Sequence, residues 1–88
     1  MIEKQYTILA AEGMHARPAT ALVKLTKQFK SVITLQKGEK TIRLNSLLNL
    51  LSLGAKGGDM ITLRIEGEDE AQAAATLDEF FVQHLQHL

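Results

Sequence analysis

Two spacings of apolar residues alternate along this chain, and their order restricts the fold more than any other property. In four short stretches apolar side chains recur at every second position, the period of a strand with one buried face. Ile2 to Leu9 puts Ile2, Tyr6 and Ile8 on one side and Glu3, Gln5 and Thr7 on the other, with Lys4 the exception on the apolar side. Val32 to Gln36 buries Ile33 and Leu35, Lys37-Gly38-Glu39-Lys40 supplies a turn, and Thr41 to Leu44 returns with Ile42 and Leu44 inward. After the Lys56-Gly57-Gly58-Asp59 loop, a fourth strand buries Ile61, Leu63 and Ile65.

Between these runs the spacing changes to three and four. From Ala16 to Gln28 the apolar positions Ala19, Leu22 and Val23 share a helical face that extends to Phe29, leaving Thr20, Lys24 and Lys27 on a polar face. A short helix is expected from Ser46 to Leu53, closed by Gly54. The last helix carries Ala71, Ala74, Leu77, Phe81, Leu85 and Leu88, and Asp69 with Gln72 resembles a capping box at its start. The order β-α-β-β-α-β-α points to an α+β fold in two layers, a four-stranded sheet with helices on one face. Strand order does not follow from the pattern.

The 88 residues contain no internal repeat or linker, so a single domain spanning 1–88 is expected. Ten basic and ten acidic side chains cancel, which argues against direct nucleic-acid binding. No apolar run is long enough to span a bilayer and no signal peptide is evident, so a soluble cytoplasmic protein, without membrane insertion, is the expectation. Cysteine is absent, which excludes disulfides and thiolate metal sites.

The chemistry concentrates in Gly13-Met14-His15-Ala16-Arg17-Pro18-Ala19-Thr20. A helix start presents unpaired N–H groups and the positive end of the macrodipole, so it favours an anion. Arg17 adds a charged fork that matches phosphate oxygens. Pro18 lacks an N–H that a first turn does not need, and it disfavours αR geometry at Arg17. Neutral imidazole is a competent nucleophile near pH 7, so His15 is the candidate phosphoryl acceptor. Backbone N–H groups of Ala16 and Arg17, with the Arg17 side chain, could stabilise the transferring group without a metal. Taken alone, His15 reads more readily as an exposed histidine that happens to precede a helix cap, and it is the whole heptapeptide that shifts the balance. His84 and His87 lie near the C-terminal helix end and receive no role.

In the leucine-rich stretch, Leu50 and Leu53 point one way and Leu47, Leu48 and Leu51 another. The second group is either covered by a neighbouring element or exposed as an apolar docking patch. Ser46 suits an N-cap.

The heptapeptide Gly-x-His-Ala-Arg-Pro-Ala, a few residues after an N-terminal strand, closely resembles the active-site signature of the HPr family. These are the histidine-containing phosphocarriers of the bacterial phosphoenolpyruvate-dependent sugar phosphotransferase system. The similarity extends through the Ser46 region, Ser52-Leu53-Gly54 and the Glu66-Gly67-Glu68-Asp69-Glu70 run. It implies an open-faced β-sandwich, an antiparallel sheet covered on one face by three helices. It also implies phosphorylation of His15 at Nδ1 by Enzyme I, donation to sugar-specific IIA domains, and no cofactor. Docking would use Leu47, Leu48 and Leu51 with a rim of Thr20, Lys24 and Lys27, on a monomer.

In Gram-positive members the serine matching Ser46 is a regulatory site, which brings in a serine kinase/phosphorylase and a catabolite-control transcription factor. Here Asn45 replaces a common lysine, leucines replace isoleucine and methionines, and Asn49 replaces a common glycine. Two other functions fit the resemblance: a regulatory corepressor module, and a carrier in a nitrogen-related phosphorelay. His15 with Arg17 argues against the first.

Overall fold

The computed structural model describes residues 1–9 and 16–84. Strand β1 (Ile2–Thr7) is followed by helix α1 (Ala16–Thr26), the hairpin β2 (Val32–Lys37) and β3 (Lys40–Arg43), helix α2 (Leu47–Ser52), strand β4 (Met60–Glu66) and helix α3 (Glu70–His84). The expected element order is observed. The four strands form one sheet in the order β1-β4-β2-β3, and every neighbouring pair is antiparallel.

The register explains the core. Ile2 pairs with Ile65, which pairs with Ile33. One row along, Lys4 faces Leu63, which faces Leu35, which faces Ile42. Because side chains alternate, these rows share one face, and the helices pack onto it. Ile8, Leu22, Leu35, Leu50, Ile61, Leu63, Ile65, Leu77 and Phe81 are fully buried there. Lys4 is tolerated on this face because its ammonium reaches the Asp78 carboxylate of α3, 3.6 Å away. The Tyr6 hydroxyl donates to the same carboxylate at 2.6 Å, and the Tyr6 ring stacks on Phe81 with centroids 4.6 Å apart. Burial, and then Asp78, push Tyr6 ionisation far above its ordinary value. The opposite face is polar, with Arg64 bridging Glu3 on β1 and Gln36 on β2.

Two details of the last helix differ from expectation. Ala71 is exposed, whereas Ala73 and Phe80 join Ala74, Leu77 and Phe81 in the core. Centred on Leu77, Ala73 and Phe80 lie about 40° and 60° to one side and Phe81 and Ala74 about 40° and 60° to the other, while Ala71 lies about 120° away. Leu85 and Leu88 fall outside the described residues. Asp69 does not act as the capping box suggests. Its carboxylate crosses to the α1–β2 loop, accepting from the Lys30 N–H at 2.8 Å, the Ser31 N–H at 3.0 Å and the Ser31 hydroxyl. Those bonds, the Ser31 hydroxyl first, hold Asp69 below the usual carboxylate range. Gly67 allows this closeness: at φ 155°, a Cβ there would sit 2.6 Å from Ser31 Oγ.

Candidate phosphoryl site and docking face

Helix α1 begins at Ala16, the residue after His15. Gly13, Met14 and His15 lie outside the described residues. Ala16, Arg17 and Pro18 form the first turn, where backbone N–H groups have no helical acceptor. The Arg17 side chain is exposed and lines a shallow hollow with Thr20, Ala21 and Lys24, positions that share one helix face. Behind it, Ala19, Leu22 and Val23 anchor the helix to the sheet.

The buried Thr26 at the helix's other end is satisfied twice, donating to Val23 O at 2.7 Å and interacting with Leu44 O at 3.1 Å. That second contact ties the end of α1 to the chain entering α2. At the opposite end, Gly58 N donates to Ile8 O, and Ile8 N donates to Asp59 O at 2.8 Å. The segment leaving α2 therefore meets the segment leading toward α1. The two helices pack side by side. Ser46 stands at the Thr26 end of α1. With eleven residues in α1, the separation along the helix is roughly 16 Å.

Ser46 is the N-cap of α2, with φ −150° and ψ 152°, and its hydroxyl accepts from Asn49 N at 3.1 Å. Sequence reading missed the partnership of Asn45 and Asn49. The Asn49 amide donates to Asn45 Oδ1 at 3.0 Å and to Arg43 O at 3.3 Å, fastening the entry of α2. Two asparagines four residues apart were the available signal. At the helix's other end, Lys37 donates to Gly54 O at 2.9 Å and Lys40 to Ser52 O, so the hairpin supplies cations to carbonyls that lack helical partners. Gly54, at φ 68°, provides the expected left-handed exit. Asp59 is held below the usual carboxylate range by the Lys56 N–H and, less strongly, by Lys37.

The leucines separate largely as their spacing suggests. Leu50 and Leu53 are buried, while Leu48 is 81% and Leu51 37% exposed. Leu47 is different: it is half-buried against the core. The lysine rim also divides. Lys24 lines the hollow with Arg17, whereas Lys27 lines another hollow at the far end of α1. Among the described residues no group of three or more His, Cys, Asp or Glu is placed to hold a metal, and no helix is long and apolar enough to cross a membrane.

The family model described as the PTS HPr component phosphorylation site matches residues 2–83. The chain is 42% identical over 77 residues to phosphocarrier protein HPr of Lysinibacillus sphaericus, covering 88% of each protein. Its structure is similar to that of a Mycoplasma histidine-containing phosphocarrier protein, with TM-score 0.92 and 31% identity over 98% of this chain and 100% of that one. HPr of Thermoanaerobacter tengcongensis gives 0.91 and 31% over 100% and 99%. The Bacillus subtilis catabolite repression protein Crh, solved as a swapped dimer, gives 0.75 and 29% over 97% and 98%.

Proposed function

The chain belongs to the HPr phosphocarrier family of the phosphotransferase system, and from that premise we propose that His15 is its phosphoryl carrier residue. As a phosphocarrier it is a protein substrate of transferases and not itself an enzyme. His15 takes the phosphoryl group on Nδ1 from Enzyme I, charged by phosphoenolpyruvate, and yields it to sugar-specific IIA domains in the cytoplasm. The observation that supports this most is the start of α1 at Ala16 inside the signature Gly13-Met14-His15-Ala16-Arg17-Pro18-Ala19. The free N–H groups and positive dipole end at the start of α1 suit the charge on the equatorial oxygens of a group carried by the preceding residue. Arg17 is the nearby cation suited to the same oxygens.

Docking falls to the exposed Leu48 and Leu51, with Leu47 at the margin and Thr20 and Lys24 beside Arg17. Ser46 serves as the regulatory site, where phosphate would add negative charge at the docking face without breaking the helix it caps. The protein acts as one domain and as a monomer. The corepressor reading is less favoured because His15 and Arg17 are both present.

Incubation with Enzyme I and phosphoenolpyruvate should add one acid-labile phosphoryl group, absent from His15→Ala. Arg17→Ala should keep its thermal midpoint but accept the group about 10- to 100-fold more slowly, the value of a charge-assisted hydrogen bond. Label persisting in His15→Ala would remove the assignment.

A further inference from the structure

The charges are distributed unevenly. Of the ten Lys and Arg side chains, Lys4, Lys37, Lys40 and Arg64 are engaged by carboxylates, carbonyls or Gln36. Arg17 and Lys24 line the hollow at the beginning of α1. Lys27, Lys30 and Arg43 line a second hollow, of about 170 Å3, at its end. All three are exposed, and none forms an ion pair among the described residues.

Three basic side chains from two segments line it: Lys27 and Lys30 from the α1–β2 connection and Arg43 from the end of β3. Among the described residues no carboxylate lines it. Asp69 approaches the same loop, but its oxygens are held by the N–H groups of Lys30 and Ser31 and by the Ser31 hydroxyl. Asn45 completes the rim, and since its Oδ1 accepts from Asn49, its own amide N–H groups remain as donors.

We propose that this second hollow binds the phosphate group of a small phosphate monoester. A phosphate dianion suits three cations better than a carboxylate monoanion does, and the Arg43 fork matches its oxygens. The volume admits a phosphate with a short organic group. A ligand held there sits beside Asn45, the residue preceding Ser46, and so at the entry of α2. This site is independent of the His15 reading.

The test is an amide chemical-shift titration of the full chain with inorganic phosphate, glycerol 3-phosphate and acetate at matched ionic strength. Saturable shifts are expected at Lys30, Ser31, Leu44 and Asn45 with both phosphates, and none that saturate with acetate. Arg43→Gln and Lys30→Gln change exposed side chains and should fold normally, each weakening binding about tenfold. Linear shifts, an equal response to acetate, or binding that survives both substitutions would overturn the site. So would saturation confined to Arg17 and Lys24. Binding of inorganic phosphate without glycerol 3-phosphate would overturn the monoester assignment.

Discussion

Asp69 shows how one side chain can serve a role that local spacing does not reveal. It stands where an N-cap belongs, yet its carboxylate joins α3 to the loop before β2. A capping box links residues three apart, whereas this contact spans 38 residues to Ser31, and no pattern in the intervening chain announces it. The depressed titration of Asp69 and Asp59 has a thermodynamic consequence. Each has a folded-state pKa below its unfolded value, so the unfolded chain binds more protons on the acid side. Their contribution is full above about pH 4 and disappears as pH falls through the folded values. Thermal unfolding should therefore show a midpoint that declines below about pH 4. Asp69→Asn should lower the neutral plateau and flatten that decline; an acid limb as steep as wild type would exclude Asp69 from it.

At the scale of elements, periods of two and of three to four were enough to place all seven in order. They could not place them relative to one another. The sheet order β1-β4-β2-β3 depends on pairing β1 with β4, whose partners Ile2 and Ile65 are far apart in the chain. The face of α3 was only partly read, because Ala71 and Ala73 are chemically alike, although their spacing from Leu77, about 120° and 40°, separates the exposed one from the buried one. Helix α2 was clearer, since a short helix against a sheet buries one stripe, and Leu50 and Leu53 form it. The exposure of individual leucines gives a clean experiment. Leu48→Asp should weaken Enzyme I binding with a change in stability near zero, whereas Leu50→Ala should cost about 2–5 kcal/mol. Leu47→Asp should show both effects, because Leu47 packs partly on the core. Unchanged Enzyme I affinity in Leu48→Asp would remove the patch from docking.

Across the whole molecule, the tie of Thr26 to Leu44 sets the two proposed phosphorylation positions toward opposite ends of α1. Ser46 lies by the end of α1 and residue 15 precedes its start, so roughly 16 Å of helix lies between them. That exceeds a Debye length of about 8 Å at physiological salt, so charge at Ser46 should act on a partner spanning the face more than on His15 itself. Ser46→Asp should raise the KM for Enzyme I and leave the maximal transfer rate nearly unchanged, with added salt reducing the difference. A lower maximal rate at unchanged KM would instead indicate direct coupling between the positions.

The defining property of a carrier is that it releases what it accepts. The phosphorylated protein, freed of Enzyme I and phosphoenolpyruvate, should be mixed with a purified IIA domain and both followed by intact mass. The phosphoryl group should leave this chain and appear on the IIA domain in equal amount, faster than hydrolysis and only when His15 is present. A phosphoprotein that loses its group only to water, at the same rate with and without the IIA domain, would contradict the carrier reading.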